Sequence, residues 1–309
     1  MKNILVCGSI AYDSIMVFHD QFKNHILPDQ IHNLNICFYV PDMKKNYGGT
    51  AGNIAYNLTL LKANALIMAA HGEDFNEYQS WLEKQGLTLK YLTKIENSFT
   101  AQAFITTDMN DNQITAFHPG AMIHAHKNSI HDVTDPIDLA IISPDGKEAM
   151  IEHARDCFNK NIPFIFDPGQ GLPMFDKTEL RQFIEQANYI SVNDYEGQLL
   201  CEKTNLSVDE IAAKVKAFII TKGSQGSDIY TNGEKISIDP IKIDQPVDPT
   251  GCGDAYRAGL IYGIAHNMDW QSTGRLASVM GAIKIQSEGG QNHQPTIEVI
   301  ERLFGQKLS

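Results

Sequence analysis

The sequence predicts an α/β fold: a three-layer α/β/α sandwich with a mainly parallel central sheet and a small accessory β lid. Three observations carry that prediction. The β-branched apolar run Ile4 to Cys7 ends in Gly8-Ser9, as a strand buried on both faces does where it delivers the chain to a ligand face. After Pro119, strand-like and helix-like segments alternate regularly, which favours parallel strands joined by crossover helices. Two alternating stretches, Ala101 to Thr107 and Gln113 to His118, flank the turn-rich Asp108 to Asn112, the pattern of a hairpin.

Taken in order, the elements are as follows. Ser14 to Asn46 holds short mixed segments rich in His, Asn and aromatics, including the alternating Asn35 to Val40, and reads as small strands covered on one face. Gly52 to Lys62 has helical spacing in Ile54, Leu58 and Leu61, and is followed by a strand over Ala65 to Ala70 and a helix over Asn76 to Gln85. The regular part then gives strands at Leu139 to Ser143, Pro163 to Phe166, Tyr189 to Val192, Ala217 to Thr221 and Ser227 to Tyr230. Helices are predicted over Lys147 to Lys160, Lys177 to Glu185, Glu196 to Leu200 and Val208 to Lys216, with two more following Gly253 and Thr273. With no repeat, linker or low-complexity tract, residues 1–309 read as a single domain whose lid spans about 14–46 and 101–119.

Composition narrows the function. The 309 residues are 43% hydrophobic and 20% charged, as a globular domain with a sizeable core requires. The net charge is −12, and the arginines are scattered singly, so nucleic acid and anionic membrane are excluded as partners, both of which reward clustered positive charge. Five cysteines without a CxxC pair point neither to a disulfide framework nor to zinc. The first apolar run stops at Gly8, too soon for a signal peptide or a membrane span, and a cytoplasmic location is expected.

Four segments carry the chemistry. Asp248-Pro249-Thr250-Gly251-Cys252-Gly253-Asp254 packs glycines into a turn and opens an apolar-periodic helix at about Asp254. Such a turn leads to a helix N-terminus that can hold a phosphate. Taken alone, Asp254 also reads as a helix cap. Gly48-Gly49-Thr50-Ala51-Gly52-Asn53 is a second glycine-dense helix opening, whose Asn53 offers both donor and acceptor. Asn193-Asp194-Tyr195-Glu196 and Thr221-Lys222-Gly223-Ser224-Gln225-Gly226 each follow a predicted strand. Polar turns at the carboxyl ends of several strands point to one crevice.

These four segments, in this order, resemble the signatures of the ribokinase-like (pfkB) family of carbohydrate and nucleoside kinases, and the likeness runs from Val6 to about His293. Cys252 stands where that family commonly has Ala or Ser, and Pro249 where Thr is frequent. The resemblance implies that Asp254 is the base for a substrate hydroxyl and that the N–H groups of Gly251, Cys252 and Gly253 form an anion hole. It implies ATP and Mg²⁺, with Asn193 and Glu196 holding the metal through water and Thr221, Gly223 and Gly226 lying along the nucleotide. Asp248 and Thr250 match positions that bind a monovalent cation, K⁺, in some relatives. On the acceptor side it points to Ser9, Asp13, Gly48, Gly49 and Asn53, with Asp13 taking two neighbouring hydroxyls of a furanose. A carboxylate of ordinary pKa, about 3.9, is a weak base, so proton transfer is expected late.

Phe38, Phe104 and Phe117, expected on lid strands, would form a slot for a base or else the lid's own small core. The absence of an Arg or Lys cluster there favours a neutral acceptor. Asp248 to Leu260, with Cys252 and Arg257, together with Phe166 to Gln170 and Phe117 to Met122, are most similar to bacterial adenosine-kinase members of the family, which implies phosphorylation of adenosine to AMP. A kinase of free ribose or fructose is the alternative, and a nucleotide-binding regulator without turnover is the alternative of another class. A dinucleotide oxidoreductase is disfavoured because no GxGxxG follows the first strand. The lid edges allow a monomer or a homodimer. His124, His126 and His131 are expected in a solvated loop; a helix N-terminus can lower a thiol pKa, but Cys252 is read as a packing choice, with oxidation sensitivity as a side expectation.

Overall fold

The structure, a computed structural model, describes residues 2–26, 35–110 and 112–308. Strand β1 (Asn3–Cys7) lies inside a nine-stranded sheet, pairing in parallel with β4 (Asn64–His71) on one side and β8 (Leu139–Ile142) on the other. Beyond β4 comes β5 (Thr88–Lys94). Beyond β8 come β9 (Phe164–Phe166), β10 (Tyr189–Asn193) and β11 (Ala217–Thr221), all parallel. The antiparallel β12 (Ser227–Thr231) and β13 (Glu234–Ile238) close that edge.

The three layers follow from alternation within buried strands. Ile4 and Val6 enter one apolar core and Leu5 and Cys7 the other, so both sheet faces need helical cover. The first face is covered by α1 (Thr50–Leu60), α2 (Asn76–Lys84), α7 (Cys252–Ala265) and α8 (Trp270–Lys284). The second is covered by α3 (Lys147–Asn159), α4 (Lys177–Gln186), α5 (Asp194–Thr204) and α6 (Val208–Ala212). A last helix, α9 (Ile297–Phe304), packs Ile300 and Phe304 beside α8.

The lid is a separate four-stranded sheet in the order β3 (Asp42–Gly48), β2 (Ala11–Val17), β6 (Ala101–Thr107), β7 (Gln113–His118). The predicted hairpin is present. Its turn is organised by Asp108, whose carboxylate accepts the N–H groups of Phe22, Asn110 and Asn112. Desolvation works against ionisation there, but these donors together with the Asn112 amide hold the Asp108 carboxyl down to about 2.

Several expectations need correction. Asn35 to Val40 alternates in exposure but pairs with no strand; Phe38 instead packs on Phe18 and Phe22 at ring separations of 4.8 and 5.0 Å. The lid's remaining strands are β2 and β3; Asp42 to Lys45 of β3 are all exposed, so that stretch has no buried face to impose alternation, while β2 is buried or half-buried throughout. Strands β5 and β13 and helix α9 were not predicted, and α7 starts at Cys252, two residues before the expected position. His124 and His126 lie in a 3-10 segment, Gly120–Lys127, that buries Ala121 and Ala125 and so is no solvated loop. Among the described residues no group of three or more His, Cys, Asp or Glu could hold a metal, and no helix is long and apolar enough to cross a membrane.

Candidate active site

Successive strands run outward from β1 to β4 and β5, and outward from β8 through β11 in the opposite direction. The switch point therefore lies between β1 and β8, and the strand ends around it border a crevice. Asn193 and Thr221 are register partners at the carboxyl ends of β10 and β11, so two of the four predicted turns are neighbours. The other two meet through side chains: Asn53 on α1 donates from Nδ2 to Asp254 Oδ2 on α7 at 2.8 Å.

The glycines allow this approach. Gly251, at φ +75°, has no room for a side chain, since a Cβ there would lie 2.9 Å from the Gly290 Cα. Gly49, at φ +83°, would place a Cβ 2.5 Å from the Ser9 carbonyl oxygen, and a Cβ on Gly48 would come 2.6 Å from Asp13 Oδ2. Bare backbone at Gly48 is thus what leaves space for the Asp13 carboxylate. Ser9 Oγ accepts the Thr50 N–H at 3.1 Å and faces Thr50 Oγ1 at 3.3 Å. Its hydroxyl joins the end of β1 to α1.

Burial tunes the acids. Desolvation pushes Asp254 up to about 7; the Asn53 hydrogen bond and the Arg257 charge oppose it, while the Asp167 and Asp13 carboxylates add to it. Asp13 is raised to about 6, by desolvation and then by the charge of Asp248. The expectation of an ordinary carboxylate at position 254 is therefore corrected: the surroundings make it a much stronger base. Cys252 keeps the packing reading. Desolvation drives its thiol up to about 11, outweighing the helix N-terminus. The Cys252 N–H donates to Pro249 O at 3.1 Å, so this member of the expected anion hole is turned back into its own loop.

Glu196 and Asn193 form a reciprocal capping box: the Asn193 side chain accepts the Glu196 N–H at 2.7 Å, and Glu196 Oε2 accepts the Asn193 N–H at 2.8 Å. This box fixes the Glu196 carboxylate at the start of α5, where desolvation raises its pKa. One carboxylate suits a magnesium ion that keeps its waters and takes its other ligands from phosphates. At the end of β11, Gly223 and Gly226 adopt φ of +55° and +83° and shape the turn after Thr221, closed by Lys222 N–H to Gly226 O at 2.7 Å.

Sequence reasoning gave no role to Asp167 and Arg257. Arg257 Nε and Nη2 donate to the two Asp167 oxygens at 2.8 and 2.9 Å, and both side chains are buried. Arg257 Nη2 also stands 4.0 Å from Glu196 Oε2, so one guanidinium ties α7, the end of β9 and α5 together. The signal available was a lone arginine in an otherwise apolar helix, one turn beyond Asp254. Gln291 was missed as well: buried, it donates to Asn53 Oδ1 and Tyr78 Oη and accepts from Trp81 Nε1.

The lid registers Asp13 opposite Asn46 and Ala103, and Ala103 opposite Phe117. Cross-strand partners share a face, so Phe117 lies on the face of Asp13. Phe104, partnered with Ser14 and Ala116, is on the other. The expected slot of three phenylalanines is therefore reduced to Phe117, with Ile15 and Ile105 on the same face.

A crevice at the switch point, with a basic carboxylate at a glycine-framed helix N-terminus, belongs to an enzyme that transfers a phosphoryl group to an alcohol. Comparison with known proteins agrees: residues 7–297 match the family described as pfkB family carbohydrate kinase, and the chain belongs to that family. It is 33% identical over 307 residues to a nucleoside kinase of Methanocaldococcus jannaschii, spanning 98% of this chain and 97% of that one. A solved nucleoside kinase of Burkholderia thailandensis in complex with inosine is 47% identical, with a TM-score of 0.88 over 98% of this chain and 99% of the other. The same Burkholderia protein in complex with ADP-inosine superposes with a TM-score of 0.86 at 48% identity, covering 99% and 97% of the two chains.

Proposed function

We propose that this chain is an ATP-dependent nucleoside kinase that transfers the γ-phosphoryl group to the primary 5′-hydroxyl of a purine riboside. Adenosine, giving AMP, is the acceptor favoured by the local sequence, and inosine, bound by the Burkholderia relative, is the second. The observation that carries the reading is the Asp254 carboxylate, raised to about 7 and bonded to Asn53 at a helix N-terminus framed by Gly251 and Gly253. In the step, the acceptor oxygen gives its proton to Asp254 and bonds to the γ-phosphorus while the bond from that phosphorus to the bridging oxygen breaks, releasing ADP. The chain's part is positioning and charge neutralisation, the two things a loose phosphoryl transfer needs. Magnesium, when bound with ATP, would be held by Glu196 through water and would neutralise phosphate charge.

Asp13 faces the acceptor side and suits a vicinal diol, since a carboxylate can accept from two hydroxyls at once. Asp13→Asn should raise KM for the riboside about 10- to 100-fold, the loss of a charged hydrogen-bond acceptor, with a smaller change in kcat; steady-state kinetics checks this. Turnover of adenosine, inosine, ribose and fructose with ATP tests the acceptor class. The purine ribosides should give the highest kcat/KM. A free sugar ahead of both would move the assignment to the sugar kinases.

A further inference from the structure

A buried lysine lies directly under the glycine turn and has no part in the chemistry described so far. Lys284, the last residue of α8, has a fully buried side chain. Its ammonium donates to Asp248 O at 2.7 Å and Ser287 O at 2.9 Å, and stands 3.9 Å from Asp248 Oδ2. The carboxylate of Asp248 is itself shared between two turns: Oδ1 accepts the Thr250 N–H at 2.8 Å and Oδ2 the Gly289 N–H at 2.7 Å. Ile285 O takes the N–H groups of Val247 and Asp248 at 2.7 and 3.1 Å. The Gly251 and Gly290 backbones are also in close contact. The ammonium thus joins the 248–253 turn to the 285–290 turn.

A monovalent cation held at Asp248 and Thr250 would draw on oxygen donors such as the Asp248 and Ser287 carbonyls and the Asp248 carboxylate. Here they surround Nζ. A metal ion on the same oxygens would collide with the ammonium and repel it, so these residues do not fit K⁺. We infer that Lys284 supplies, from the chain itself, the positive charge that a bound monovalent cation would otherwise provide beneath the anion-binding turn, and that phosphoryl transfer by this protein is independent of potassium. Lys284 is in this sense a positioning residue: it acts through the Asp248 to Gly253 backbone and touches no reacting atom. The inference rests on the kinase reading, and it answers for this chain the question of K⁺ that the family resemblance raised.

The test compares the purified chain in tetramethylammonium chloride and in KCl at equal ionic strength. Two quantities are read: kinase turnover with adenosine or inosine, and the temperature of unfolding. The wild type should show the same kcat within about twofold in the two salts, and no K⁺-specific rise in unfolding temperature. Lys284→Met removes the charge and should lower kcat at least about tenfold, with a smaller change in acceptor KM. That variant should acquire both partial rescue of kcat by K⁺ and a K⁺-specific rise in unfolding temperature. Strong K⁺ activation or stabilisation of the wild type overturns the proposal, as does a Lys284→Met enzyme with wild-type, salt-indifferent turnover. Should the variant fail to fold, the wild-type pair of measurements decides alone. A wild type that phosphorylates no acceptor in either salt rejects the kinase reading instead, and its unfolding temperatures still judge the cation proposal.

Discussion

Asp254→Asn is expected to lower kcat about a thousandfold, within the range that general-base catalysis supplies, while leaving ATP binding intact. The amide keeps the size of the carboxylate but cannot take the acceptor's proton. The pH dependence makes the test sharper. With Asp254 raised to about 7 and Asp13 to about 6, kcat/KM of the wild type should rise with pH through that window, because the ionised carboxylates are the working forms. In the Asn variant the limb near 7 should vanish from the residual activity. The stability sign runs the opposite way. Folded Asp254 keeps its proton above the ~3.9 of an unfolded Asp, so its ionisation opposes folding as pH climbs from about 4 to 7. The variant should therefore be at least as resistant to thermal unfolding at pH 8 as the wild type. A parallel loss of activity and stability at pH 8 would mean that the carboxyl is structural.

The second large effect is on stability. Arg257→Met leaves the buried Asp167 carboxylate without its guanidinium and should cost about 3–5 kcal/mol, read as a fall of roughly 10 °C in Tm. Adding Asp167→Leu in the same chain should restore most of that loss, because removing both members of a buried pair spares the desolvated charge. The double variant should fold and still turn over poorly. In the single Arg257→Met variant, which loses the guanidinium that holds the Asp254 pKa down but keeps the Asp167 carboxylate that raises it, the acid limb of kcat/KM should move upward. A double variant no more stable than the single one would show that packing, not charge, makes Arg257 important.

The sequence revealed the site at the level of its turns and concealed it at the level of its pairs. Glycine-dense turns after apolar runs are local signals, so Gly48 to Asn53, Asn193 to Glu196, Thr221 to Gly226 and Asp248 to Asp254 could all be read from neighbouring residues. The central parallel sheet was legible for the same reason, because the alternation of β11 and its predecessors with helices is written along the chain. Side-chain pairs are different. Asn53 with Gln291, Asp167 with Arg257 and Asp248 with Lys284 join residues far apart in sequence, and only the topology brings them together. The raised pKa of Asp254 belongs to this second class, since desolvation by the surrounding elements produces it. In the lid, the alternation of Asn35 to Val40 was real but answered to an aromatic cluster with Phe18 and Phe22 rather than to a neighbouring strand.

The Asp108 turn has a reach beyond its own residues. It holds β6 against β7 in the register that sets Ala103 opposite Phe117, and a slip of one residue in such a ladder would send every side chain of β7 to the opposite surface. Phe117 would then exchange places with Ala116, and the face that carries Asp13 would present a methyl group where a phenyl ring now stands. Insertions or deletions of a single residue at this loop are therefore a route by which natural variation could change the side chains of that lid face while the turns at the ends of the central strands stay unaltered.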